Sequence, residues 1–101
     1  MIKTKVLYGH PNDAAAFEEY YVNTHMAKAA KMKGHTKLEV TKFTSAPDGG
    51  KPAYYRMAEF WFSGPEAMQA TMGSPEGQAV AADLVNFATG GATLLVGSVE
   101  E

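Results

Sequence analysis

The stretch Tyr54 to Phe62, YYRMAEFWF, constrains this chain more than any other. Read with a period of two, Tyr54, Arg56, Ala58, Phe60 and Phe62 share one face, and Tyr55, Met57, Glu59 and Trp61 share the other. Both faces carry large apolar groups, which is the pattern of a central strand covered on both sides. The rest of the chain has to supply neighbours for it at its edges and covers for its two faces.

Neighbouring strands are legible by the same alternation. Ile2 to Tyr8 sets Ile2, Thr4, Val6 and Tyr8 against Lys3, Lys5 and Leu7. Thr36 to Thr44 and Ala92 to Val99 supply two more strands, and the loop Ser45 to Pro52 between strands is rich in Pro and Gly. Asp13 is an N-cap for a helix from Ala14 to about Met32, stopped at Lys33-Gly34. Ser63-Gly-Pro-Glu66 reads as a capping box opening a short helix to about Met72. Ser74-Pro75-Glu76 opens another helix, with Val80, Leu84 and Phe87 as its core stripe.

The order is β-α-β-β-α-β, which predicts an α+β, ferredoxin-like fold with a four-stranded antiparallel sheet and helices on one face. The other face, with Leu7, Tyr55, Met57 and Trp61, is too apolar to stay bare on a soluble monomer. A second copy of the same sheet is the simplest cover, so the pattern predicts a homodimer with a partly closed barrel between the sheets. At 101 residues, 46% of them hydrophobic, the chain has room for one core, and a single domain over residues 1–101 is expected.

Composition narrows the chemistry. The chain has no cysteine, so it has no disulfide, thiolate nucleophile or cysteine-held metal. A net charge of -2 without a basic stripe argues against nucleic acid as a partner. With no long apolar run and no export signal, neither membrane association nor secretion is expected, and the expected location is cytoplasmic. His10, His25 and His35 are too far apart for a local ligand pair, and the paired glycines lack a phosphate-loop context, so neither a metal nor another cofactor is expected.

One polar residue stands out on the long helix. Phe17, Tyr21, His25, Lys28 and Met32 fall on one face of it, and an imidazole in such a stripe is either a satisfied core histidine or the working group of a pocket. His25 is the candidate proton donor or acceptor, with Tyr21 a turn away to orient the ring or a ligand. Glu59 is the second candidate, because a carboxylate between Met57 and Trp61 should not be buried unpaired. Lys5 is its available partner, as an internal ion pair or as the tuner of a general base. Tyr8, Tyr55, Trp61 and Phe17 are the aromatic groups expected to line a hydrophobic ligand's cavity, with an ordinary aromatic core as the alternative.

Three blocks carry a likeness: Phe17 to Ala30, FEEYYVNTHMAKAA; Tyr54 to Phe62; and, most specific, Ser74 to Gly91, SPEGQAVAADLVNFATGG. Together they resemble the EthD family, named for ethyl tert-butyl ether degradation. The resemblance implies a dimeric α+β barrel, places His25 at the family's helix histidine, and implies a bacterial setting beside a cytochrome P450 ether-degrading system. Families with a similar barrel include polyketide cyclases, monooxygenases acting on aromatic polyketides, and haem-degrading or haem-using enzymes, and fold alone carries none of those activities across. The family often has proline soon after the helix histidine, whereas this chain has Met26-Ala27-Lys28, which predicts a more regular helix and a less accessible imidazole.

The expected function is binding of a hydrophobic, oxygenated or aromatic small molecule, with cofactor-free proton transfer of the cyclase, isomerase or lyase type. The alternative is a non-catalytic accessory protein that delivers its ligand to an oxygenase. A haem or redox barrel is the third reading.

Overall fold

A computed structural model describes residues 1–100. Four strands, β1 (Ile2–Tyr8), β2 (Lys37–Lys42), β3 (Arg56–Phe62) and β4 (Ala92–Ser98), form one antiparallel sheet in the order β2-β3-β1-β4. The expected central strand is central, paired on both sides. Its regular pairing begins at Arg56 rather than Tyr54, although the Tyr55 N–H already donates to the Tyr8 carbonyl at 2.8 Å and the Tyr55 carbonyl accepts from the Phe43 N–H at 3.0 Å. The fold is α+β and ferredoxin-like. No helix among the described residues is long and apolar enough to cross a membrane.

Strand alternation assigns the faces. Val6 lies opposite Ala58 and Leu94, and Thr4 opposite Phe60 and Val96, so these residues share the side that carries the helices. Phe60 and Phe62 pack there with Ala29, Met32 and Val80, while Tyr8 packs with Phe17, Tyr21 and Phe87 in a second cluster. Lys3, Lys5, Leu7, Met57, Glu59 and Trp61 share the opposite face, which no helix covers. At the end of β1 the backbone of Gly9 meets that of Gly90, leaving no room for a Cβ at either position.

The long helix departs from expectation. It runs as α1 (Ala14–Tyr20), a π-helical turn (Tyr21–His25) and α2 (Met26–Ala29), with the Met26 N–H donating to the Tyr21 carbonyl five residues back. Asp13 caps its start, accepting from the Ala16 N–H at 3.0 Å. The regular helix predicted from the missing proline is thus corrected: a widened turn lies between the two buried side chains Tyr21 and His25, and such insertions occur without proline. The expected capping box is also absent. Helix α3 (Pro65–Met72) starts from Gly64 without a side-chain cap, proline occupying its first position instead. Helix α4 (Pro75–Asp83) is capped by Ser74, as expected, and passes into a 3₁₀ turn over Leu84–Asn86.

Candidate active site

The site is built where the π-helical turn meets the end of α4. His25 and Tyr21 are both buried, and their rings stack with centroids 5.5 Å apart. Phe87 lies tilted against the imidazole at 4.6 Å. The Arg56 guanidinium sits 4.9 Å from the Tyr21 ring centroid, held there by a two-point bond to Glu18 at 2.7 and 3.0 Å. Aromatic contacts, with one tethered arginine, therefore fix where the imidazole can point.

Asp83 fixes how it is protonated. This carboxylate is 2% exposed and accepts at 2.9 Å from His25 Nδ1 on one oxygen. Its other oxygen accepts from Tyr20 Oη at 2.6 Å, Asn86 Nδ2 at 2.9 Å and Lys28 Nζ at 3.0 Å. Burial opposes the charge on Asp83, and these four donors outweigh it, holding the carboxyl well below its usual range. An ionised carboxylate only accepts, so Nδ1 carries the proton and Nε2 keeps its lone pair. Burial pulls the pKa of His25 below 6.5, and the bond to Asp83 restores only part of it. The imidazole is a neutral base near pH 7.

Nε2 makes no hydrogen bond among the described residues, and the His25 ring lines a cavity of about 240 Å³ between the helices and the sheet. Met26, Met32, Met68 and Met72 make much of its wall, a flexible lining that adapts to the shape of what enters. Leu94 and Val96 of β4 border it while remaining more than half exposed, so the cavity opens along that edge strand. Its polar groups are few: Tyr8 and Tyr21 line it, both phenols pushed above their usual range chiefly by burial, as do Thr4 and Lys5, the latter with its ammonium near Glu59 on the other side of the sheet. Among the described residues the buried hydroxyls of Tyr21 and Thr4 make no well-formed hydrogen bond, although the Tyr8 phenol is close enough to that of Tyr21 to influence its ionisation.

The residues expected from sequence are divided by this geometry. His25, Tyr21 and Tyr8 meet at the cavity. Phe17 and Tyr55 do not line it: they contact each other at 5.1 Å within the aromatic cluster behind it. Tyr55 also leaves the face expected for it, because it precedes β3 and its side chain turns toward α1. Glu59 and Trp61 lie on the opposite side of the sheet, so the expectation of a shared pocket with His25 is corrected by the parity of β3. Glu59 is buried and bonded to Lys3 at 2.9 Å, with Lys5, the anticipated partner, at 3.6 Å. Burial works against its charge, and the two lysines more than offset that, lowering its pKa. Trp61 lies between the ammonium groups of Lys37 at 4.9 Å and Lys3 at 5.3 Å.

Asp83 and Lys28's bond to it were missed from sequence. The signal was there: Asp83 lies three residues after Val80 and four before Phe87, on the core stripe of its own helix. A carboxylate at such a position needs partners as much as Glu59 does.

Comparison with known proteins agrees with this architecture. Residues 10–91 match the EthD domain. An uncharacterised 11.0 kDa protein of Rhodococcus erythropolis, from the thcB-thcC intergenic region, is 36% identical over 95 residues, covering 94% of this chain and 91% of that one. The crystal structure of an ethyl tert-butyl ether degradation (EthD) family protein from Bacillus halodurans superposes with a TM-score of 0.92 at 34% identity, covering 99% of each chain. SnoaB from Streptomyces nogalater, a cofactor-independent oxygenase, shares the fold alone, at 14% identity and a TM-score of 0.65 over 99% of this chain and 92% of its own. With the family model spanning most of its length and relatives above 30% identity along nearly all of it, this chain belongs to the EthD family.

Proposed function

We propose that this protein binds a neutral, hydrophobic, oxygen-bearing small molecule between its helices and sheet, and that His25 moves a proton on it without a cofactor. The observation that carries this reading is the bond from Nδ1 to the buried Asp83, which leaves a neutral Nε2 at the wall of an otherwise apolar cavity. The proposed step begins with a ketone whose carbonyl oxygen accepts a hydrogen bond from Tyr21. Nε2 takes a proton from the adjacent carbon, the electron pair of that C–H bond forms the enolate, and the imidazolium returns a proton to complete exchange or isomerisation. Asp83 stabilises the imidazolium in between and stays ionised.

A direct test is deuterium uptake at the carbons flanking the carbonyl of 2-octanone in D₂O, followed by NMR. The wild-type protein should accelerate uptake, and His25→Ala should lose about 10²–10⁴-fold of that acceleration. Equal acceleration by a folded His25→Ala protein would refute the assignment. Binding of 2-octanone without uptake would instead favour the delivery role, which uses the same methionine-lined cavity and needs no titrating group.

We further propose that the bare sheet face is covered by a second copy of this chain. Leu7, Met57 and Trp61 give that face its apolar surface, and the Lys3–Glu59–Lys5 cluster gives it a fixed register. Native mass spectrometry should show a dimer, and Trp61→Glu should dissociate it; a monomeric wild-type protein at micromolar concentration would exclude this interface.

A further inference from the structure

Thr4 is hard to explain as a structural residue. It is 7% exposed, its hydroxyl has no partner among the described residues, and it faces the cavity from β1. A buried hydroxyl left unpaired costs stability, and valine would have the same branched shape without that cost. The residues around Thr4 offer no compensation: Phe60 and Val96, its cross-strand neighbours, are both apolar. Tyr8, on the same face of the same strand, is four residues away, a backbone distance of about 13 Å in an extended chain. Val6 lies between them, and it has no polar group to offer.

The cavity therefore has hydrogen-bonding groups at two places separated along β1 by apolar wall: Tyr8, with Tyr21 and His25 of the π-helical turn, at one, and Thr4 at the other. We propose that Thr4 is a second oxygen anchor, and that the ligand is a neutral molecule with an apolar body and two separated oxygen functions, such as a diketone, a hydroxyketone or an ether ketone. Its first oxygen meets Tyr21 and His25, and its second meets the Thr4 hydroxyl, which can donate to a carbonyl or ether and also accept from an alcohol. Lys5 borders the cavity, but its ammonium lies 3.6 Å from Glu59 on the other side of the sheet. No charged side chain is therefore free to take part in this recognition, and the pocket selects against carboxylates and amines, whose desolvation goes uncompensated. This inference rests on the cavity being the ligand site, as proposed above.

The test compares 2-octanone with 2,7-octanedione by titration calorimetry on the wild-type protein, Thr4→Val and Thr4→Ser. The dione should bind the wild-type protein roughly five- to tenfold more tightly than the monoketone, the worth of one buried hydrogen bond. Thr4→Val should erase that advantage, so that the two ketones bind with similar affinity, and should raise the melting temperature, because the unpaired hydroxyl is gone. Thr4→Ser, which keeps the hydroxyl, should retain the advantage. A dione advantage that survives in Thr4→Val, or its absence from the wild-type protein while the monoketone binds, overturns the second anchor alone. Failure of both ketones to bind the wild-type protein overturns the cavity reading and this inference with it.

Discussion

Two carboxylates are buried among the described residues, on opposite sides of one sheet, and they are held in different ways. Asp83 is wholly enclosed and accepts from four side chains of four chemical types, one of them an imidazole facing a cavity. Glu59 is nearly as buried, but its partners are two lysines, each about 30% exposed in its side chain, on a face that no helix covers. The first arrangement is complete within the single chain. The second is half built, one carboxylate against two ammonium groups with solvent still at the edge, as suits a surface that another molecule will cover. Burial alone thus does not mark a working acid; what it touches does.

The largest expected effect breaks the first arrangement. Asp83→Ala should destabilise the protein by about 3–5 kcal/mol, since it leaves buried donors without an acceptor. Urea denaturation at pH 7.5 measures this, and a loss below about 1 kcal/mol would mean that the donors find other partners. Asp83→Asn, which keeps the shape, should retain more stability yet disturb the imidazole tautomer. Nitrogen chemical shifts of the His25 ring should then no longer show the proton settled on Nδ1.

Acid should separate the two sides next. The pKa of His25 is lowered on folding, so the unfolded chain binds a proton more readily. Its contribution is fully present above pH 6.5 and is lost as pH falls from there toward the folded value. Glu59 and Asp83 are also lowered, but from 4.5 and 3.8, so their contributions are lost only in more acidic solution. Stability of the wild-type protein should therefore decline in two stages between pH 7.5 and 3, and His25→Gln should remove the upper stage only. A wild-type curve flat from pH 7 to 5 would contradict a neutral buried imidazole.

Glu59→Gln should have a smaller effect, about 1 kcal/mol, diminishing with added salt because both lysines are partly solvated. It should weaken association between chains and leave 2-octanone binding unchanged. A change in ketone binding at fixed oligomeric state would mean that the two sides of the sheet are coupled.

How far each side was legible follows from what its residues depend on. Strand parity depends on local alternation, so the opposite faces of Phe60 and Trp61, and the odd position of Glu59, could be read from nine residues. Which face the helices take could not, because β3 is apolar on both sides and only tertiary packing decides. His25 was visible as a polar residue in an aromatic stripe. The π-helical turn that carries it was not, since it rests on Tyr21 and His25 each finding a place against β1 and α4. Asp83 escaped notice because alanines and valines flank it in a helix whose stripe reads as ordinary core, and a single carboxylate there resembles a solvent-facing interruption. Apart from Asn86, three residues on, its partners lie 55 to 63 residues away in Tyr20, His25 and Lys28, beyond the reach of any local pattern.

The smallest expected effect concerns the partner that Asp83 shares with solvent. Lys28 is 41% exposed in its side chain, donates to the Asp83 oxygen that does not bind His25, and so touches the imidazole only through the carboxylate and through space. Its charge disfavours a second cation on the ring, one of the influences that lower the His25 pKa. Lys28→Met keeps the stem that lies over the helix and removes the charge, so two influences change in the same direction. The imidazolium loses a repelling neighbour, and Asp83, with one donor fewer, has more of its charge to give to Nδ1. The His25 titration, followed by proton NMR of its ring, should move upward toward 6.5, and any ketone exchange that depends on neutral His25 should weaken at its acidic end by the same displacement. A titration that stays in place would show that water already screens Lys28 from the ring. Lys28 would then serve only to hold Asp83, and the tuning of His25 would belong to its burial among Tyr21 and Phe87.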